Sequence, residues 1–130
     1  MIDHVSITVV DLQRSMPFYD AVFAALGVVK VGSDDNWAGF GLRADASQPG
    51  RSYLSIRGGE TLPISSQRHW CFKAPSPAAV DRFHQAGLAA GGRDDGPPGL
   101  RPDYHPSYYA AFLLDPDGNR IEAVCHLEAY

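Results

Sequence analysis

Apolar and polar residues alternate at the start of the chain, with Val5, Ile7 and Val9 on one face of an extended segment and His4, Ser6 and Thr8 on the other. The alternation predicts a strand with one greasy face and one polar face. The period then lengthens: Phe18, Tyr19, Val22, Phe23 and Leu26 recur at helical spacing, Asp11 or Ser15 stands where a cap belongs, and Gly27 stops the run. Shorter strand-like runs follow over residues 28–31, 37–42 and 53–57, separated by polar and Gly/Pro-bearing turns. The first half therefore reads β-α-β-β-β.

After a linker near residues 58–66 the pattern starts again. A strand is predicted over 69–74, and Pro75-Ser76-Pro77 ends it and opens a helix over 78–90. Val80, Phe83 and Leu88 are among the apolar positions of that helix, and Gly91-Gly92 is its stop. Residues 93–107, with Gly96-Pro97-Pro98-Gly99, read mainly as an irregular loop holding one short strand. Segments 108–114 and 120–126 form a hairpin through Asp115-Pro116-Asp117-Gly118-Asn119, whose residues suit a tight connection. A constant offset carries His4 onto His69, Phe18 onto Phe83, Ala24 onto Ala89, Ala25 onto Ala90 and Gly27 onto Gly92. The chain is thus an internal duplication, α+β in class, with modules at about 1–60 and 67–128 in one domain.

Composition narrows what such a duplication can do. With 45% hydrophobic and 20% charged residues among 130, the chain is an ordinary globular sequence. A net charge of −4 and a pI near 5.6, with the basic residues scattered, argue against a nucleic-acid partner. No apolar run is long enough to span a membrane and the N-terminus lacks a secretion signal, so a cytoplasmic location is expected. Cys71 and Cys125 lie in strand-like runs without CxxC spacing and are read as buried, reduced thiols.

Each amphipathic helix needs the apolar face of its sheet, which leaves the polar faces to carry chemistry. In segment 120–126 the alternation sends Ile121, Ala123 and Cys125 toward the helix and Arg120, Glu122 and Val124 the other way. Glu122 then shares the polar side with His4 and His69. A carboxylate in so apolar a strand is costly to bury without a cation or hydrogen-bond donor. Two imidazoles and a carboxylate suit a divalent transition metal with open coordination positions.

These residues resemble the vicinal oxygen chelate superfamily, also called the glyoxalase, bleomycin-resistance and dioxygenase superfamily. The marks are Asp3-His4-Val5-Ser6-Ile7-Thr8-Val9 with Phe18-Tyr19, then Arg68-His69-Trp70-Cys71-Phe72, then Asp115-Pro116-Asp117-Gly118-Asn119-Arg120-Ile121-Glu122. The resemblance implies two βαβββ modules forming an incomplete β-barrel around a cavity, helices outside, with His4, His69 and Glu122 holding a divalent ion (Fe, Mn, Ni or Zn). Four-ligand members such as glyoxalase I carry a carboxylate where aligning Tyr53-Leu54-Ser55-Ile56 with Arg120-Ile121-Glu122-Ala123 places Ser55. The three-ligand pattern looks more like fosfomycin-resistance thiol transferases and extradiol dioxygenases. A tyrosine of the former is Phe112 here, and their C-terminal arginine has no counterpart, which disfavours that antibiotic activity.

Function follows as an expectation: a metal-dependent lyase, isomerase, dioxygenase or thiol transferase on a small oxygenated substrate. The alternative is a metal-free binding protein that sequesters its ligand. Tyr108 and His105 are the acid-base candidates, Tyr108 first because alternation through the hairpin aims Tyr108, Ala110 and Phe112 inward. Arg57 and Arg101 would receive an anionic group, and Trp37, Tyr53, Ser55 and Phe112 would line the substrate site. His84 and His126 are read as structural or surface residues. A homodimer is expected, since members of the superfamily commonly pair and open sheet edges need cover.

Overall fold

The computed structural model describes residues 1–60 and 68–126. Part of the expected linker (61–66) and the boundary residues 67, 127 and 128 lie outside the described residues. The elements are β1 (His4–Val9), α1 (Leu12–Leu26), β2 (Lys30–Ser33), β3 (Trp37–Gly41), β4 (Tyr53–Gly58), β5 (His69–Lys73), α2 (Pro77–Ala89), β6 (Arg93–Leu100), β7 (Tyr109–Leu114) and β8 (Arg120–Cys125). Each βαβββ module makes one four-stranded sheet, in the order β1-β4-β3-β2 and β5-β8-β7-β6. The duplication extends to register: β1 runs parallel to β4 with Ser6 opposite Ser55, and β5 parallel to β8 with Cys71 opposite Glu122. No closed barrel forms among the described residues, and none of their helices is long and apolar enough to cross a membrane.

Local chemistry explains the helix ends. Asp11, extended, accepts a hydrogen bond from the Arg14 amide and caps α1, while Gly27 at φ 73° takes the left-handed turn that ends it. Ser15, the other cap candidate, is instead buried inside the first turns of α1. Ser76 caps α2, with Pro77 at the first turn. Its buried stripe is Ala79, Val80, Phe83 and Gly87, so Leu88 turns away from that stripe and is exposed, contrary to the sequence expectation.

Residues 93–107 depart most from expectation. Through Gly96-Pro97-Pro98-Gly99 the chain remains a strand, β6, pairing with β7 across two register shifts. A sheet edge tolerates the prolines, because their missing N–H groups need no inner neighbour, and the bulges absorb the irregular spacing. Residues 28–29 precede β2 rather than belong to it, and Val29 is exposed.

One apolar cluster draws on both modules: Ile7, Val9, Phe40 and Ile56 meet Phe18, Val22 and Phe23 from α1, and Phe83, Leu113 and Ile121 join from the second half. Each such buried side chain contributes roughly 1.5–3 kcal/mol. The two helices press together closely enough that a methyl added at Gly87 or Gly92 would run into Phe18. A polar clasp adds to this. Asp115, fully buried in the β7–β8 turn, accepts from the Tyr19 hydroxyl (2.5 Å), the Asn119 side chain and two turn amides, while Asp117 accepts from the Val10 amide and pairs with Arg14. Burial and the Asp115 carboxylate push the Tyr19 phenol well above its ordinary pKa, so it stays a donor.

Candidate functional site

On the second sheet, the alternation of β8 puts Ile121, Ala123 and Cys125 into the shared core and leaves Glu122 and Val124 on the opposite face. Val124 packs there with Ala110, Phe112 and Tyr108. Glu122 is only 2% exposed. Its Oε2 lies 3.2 Å from His69 Nε2, and its Oε1 accepts a 2.6 Å hydrogen bond from the Tyr108 hydroxyl. An imidazole nitrogen and a carboxylate oxygen at that separation are donors that one divalent ion can hold together.

The surroundings hold this pair in place. The Arg120 guanidinium lies 4.4 Å over the Phe112 ring and donates to Asp95, and His69 packs 6.2 Å from the same ring. Cys71, opposite Glu122 in register, is exposed rather than buried as expected. Desolvation first, then the Glu122 charge, push its thiol up to about 12. The Tyr108 hydroxyl is likewise raised, by desolvation and then by its bond to Glu122, so it carries its proton at neutral pH. The Tyr108 ring packs edge-on against His126, which packs edge-on against His105.

The first sheet presents a different face. His4 Nδ1 is 2.8 Å from Asp3 Oδ1; donating there, it leaves the Nε2 lone pair to accept or ligate, the arrangement of a metal-binding histidine oriented by a carboxylate. Ser6 and Ser55 hydrogen-bond to each other at 2.6 Å where the second sheet has Cys71 and Glu122. A pocket of about 300 Å³ on this face is lined by His4, Ser6, Arg43, Tyr53, Ser55 and Arg57 among others.

The expected site residues therefore fall into two groups. His69, Glu122, Tyr108 and Phe112 come together on the second sheet; His4, Tyr53, Ser55 and Arg57 share the first. Trp37 stacks on Tyr53 with centroids 6.4 Å apart, so the aromatic wall is divided between the sheets. Arg101 donates to the Gly99 and Pro97 carbonyls and lies 5.8 Å over Phe112, while the His105 ring packs against His126 and the His105 carbonyl accepts from the Tyr108 amide. No group of three His, Cys, Asp or Glu side chains able to hold a metal forms among the described residues; His69 and Glu122 meet on the second sheet, and His4 lies on the first. Sequence reasoning missed Asp3, Arg43, Cys71 and His126 as neighbours of these groups. Asp3 alone had a signal, a carboxylate adjacent to a candidate ligand.

A sequence model of the Glyoxalase/Bleomycin resistance protein/Dioxygenase superfamily matches residues 1–123. Among solved structures, a glyoxalase/bleomycin resistance protein from Albidiferax ferrireducens T118 is 33% identical, with 96% of this chain and 98% of that one covered and a TM-score of 0.77. A glyoxalase/bleomycin resistance protein/dioxygenase family enzyme from Burkholderia phytofirmans PsJN is 24% identical, covering 96% and 98% at a TM-score of 0.68. The fosfomycin resistance protein FosX from Mesorhizobium loti is 22% identical, covering 96% and 91% at 0.67. The last two speak to the fold alone. No curated protein matches the chain.

Proposed function

The chain belongs to the glyoxalase/bleomycin resistance protein/dioxygenase superfamily, and on that premise we propose that it is a metal-dependent enzyme acting on a small oxygenated substrate. The observation that carries this reading is the buried Glu122 carboxylate facing His69 Nε2 at 3.2 Å on the sheet face turned away from the helices. Burying a carboxylate opposite an imidazole costs stability, which a divalent ion held by His69 and Glu122 would offset. Such an ion supplies Lewis-acid polarisation of substrate oxygens.

The chain's own groups divide the remaining work. Tyr108 holds a proton against Glu122 Oε1 and orients that carboxylate, and its raised pKa suits it to donate rather than accept. His126 and His105 pack behind it, and Phe112 with Arg120 gives the face an apolar, cation-braced wall. The third ligand is His4, supplied by a second copy of the chain, because His4 sits on the other sheet with its Nδ1 held by Asp3 and its Nε2 left to ligate. This makes the functional unit a homodimer.

Two measurements test the reading. Elemental analysis after supplementation with Ni, Mn, Fe and Zn should find one ion per chain, lost in His69→Ala and in Glu122→Ala. Absence of metal in every case would favour a metal-free binding protein instead. Co-expressing His4→Ala with His69→Ala chains should restore one metal site per mixed dimer, since one pairing brings two intact halves together. A site built within each chain would stay empty in every mixture.

A further inference from the structure

The pocket on the first sheet has the chemistry of an anion receptor. Arg43 and Arg57 both line it, and neither has an ion pair among the described residues, although the chain holds 15 acidic against 11 basic groups and Arg14, Arg51 and Arg120 are all paired. Arg43 is held in place without an acid. Its guanidinium lies 4.5 Å over the Tyr53 ring and donates to the Tyr53 hydroxyl at 3.3 Å. Stacking of that kind fixes a guanidinium while leaving its other N–H groups free.

The platform beneath it is built. Tyr53 lies across Gly39, where an added methyl would meet both the Tyr53 hydroxyl and the Trp37 ring, and Trp37 stacks with Tyr53. Between the two arginine-bearing segments, Ser6 and Ser55 share one hydroxyl proton at 2.6 Å. Two hydroxyls carry two protons, so one remains to donate into the pocket. The Asp3 carboxylate, also on the lining, accepts from His4 and pairs with neither arginine. Two planar guanidiniums and a hydroxyl around about 300 Å³ match the size and oxygen geometry of a small carboxylate or phosphate.

We infer that this face is an oxyanion subsite, with Arg43 and Arg57 as its main contacts, and that the ligand is a small oxygenated molecule bearing a carboxylate or phosphate group. It rests on the function proposed above only in assigning the subsite and the metal to the same ligand, through His4, which belongs to both. The duplication has then diverged by division of labour: Glu122 keeps the cation half, and Ser55 at the matching position frees the other half for an anion.

Isothermal titration of the as-purified protein at low ionic strength, with its metal content measured in parallel, tests this. The titrants are sodium malonate and sodium phosphate, with malonamide as the uncharged control. One of the two anions should bind at one per chain, and Arg43→Gln and Arg57→Gln should each weaken it about tenfold. Arg82→Gln on α2 should leave binding unchanged. Tighter malonate marks a carboxylate ligand and tighter phosphate a phosphate one. Thermal melts of the exposed arginine variants verify that they fold. Anions that bind no better than malonamide, or arginine variants that bind like the parent, overturn the inference while leaving metal uptake untouched. Anion binding in a protein that takes up no metal would leave the subsite standing and remove the metal.

Discussion

Replacing Tyr108 by Phe removes one oxygen from the second-sheet site and tests its central contact. Glu122 is 2% exposed, and its polar contacts include the Tyr108 hydroxyl at 2.6 Å, His69 Nε2 at 3.2 Å and the Cys71 thiol. A hydrogen bond to a charged group contributes about 1.5–3 kcal/mol net, and a half-buried tyrosine lets water partly replace the hydroxyl, which places the loss near 1.5–2 kcal/mol. For a chain of this size that is a fall in Tm of roughly 5–10 °C in the metal-free protein. Loss of a partner that orients a ligand weakens metal binding about 10–100-fold. The Tyr108 pKa is raised, so the contribution of its protonated form is complete below the ordinary tyrosine value and fades only as pH climbs through the elevated one. The gap between parent and variant should therefore be constant from about pH 6 to 9 and narrow above about pH 10. Differential scanning calorimetry with chelator, and competitive metal titration, measure the two effects. Tyr109→Phe is the control, since its hydroxyl bonds Asp81 on the exposed surface at 2.7 Å and should cost less than about 1 kcal/mol. Equal losses in the two variants, or a Tyr108→Phe protein that melts and binds metal like its parent, would refute the role given to this hydroxyl.

Gly87→Ala should destabilise the chain by about 1–2 kcal/mol in urea unfolding. Alanine gains about 1 kcal/mol of helix propensity but forces its methyl into Leu113, Val22 and Phe18, and overpacking costs about 1–3 kcal/mol or more. Gly50→Ala, with nothing within 4 Å, should be neutral, and a stabilised Gly87→Ala would show that the helices are not in tight contact. Cys71 should react slowly with dithiodipyridine at pH 8 in chelator. Raising its pKa from 9.0 to about 12 removes about a thousandfold of thiolate, and greater nucleophilicity returns part of it, leaving a rate roughly thirty- to sixtyfold below that of an ordinary thiol. Glu122→Gln should speed the reaction, and a parent rate equal to that of free cysteine would contradict the desolvated thiol described above.

What could be read from the chain, and what could not, divides along a physical line. The alternation that set Ile121, Ala123 and Cys125 against Glu122 and Val124, and aimed Tyr108, Ala110 and Phe112 together, is a property of a strand's own pleat, and all of these side chains fall as it requires. Helical spacing placed Phe18, Phe23 and Phe83 in the core for the same reason. Leu88 failed because a glycine, Gly87, occupies the contact stripe beside it, and apolar spacing does not count glycine as a contact. The strand through Gly96-Pro97-Pro98-Gly99 failed because proline is weighed as a breaker, whereas at an edge it breaks nothing. The division of His4 from His69 is of another kind. Periodicity fixes which way a residue faces relative to its own sheet, and it says nothing about where a second sheet lies. That relation comes from contacts remote in sequence: Phe18 against Gly87 and Gly92, and the Asp115 carboxylate under Tyr19. Arg43 was hidden for the same reason, since only the folding of Tyr53 over Gly39 gives it a platform. A duplicated sequence thus specifies two similar faces reliably, while the way the two modules of this chain are set against each other is decided by the clasp and the helix contact that join them.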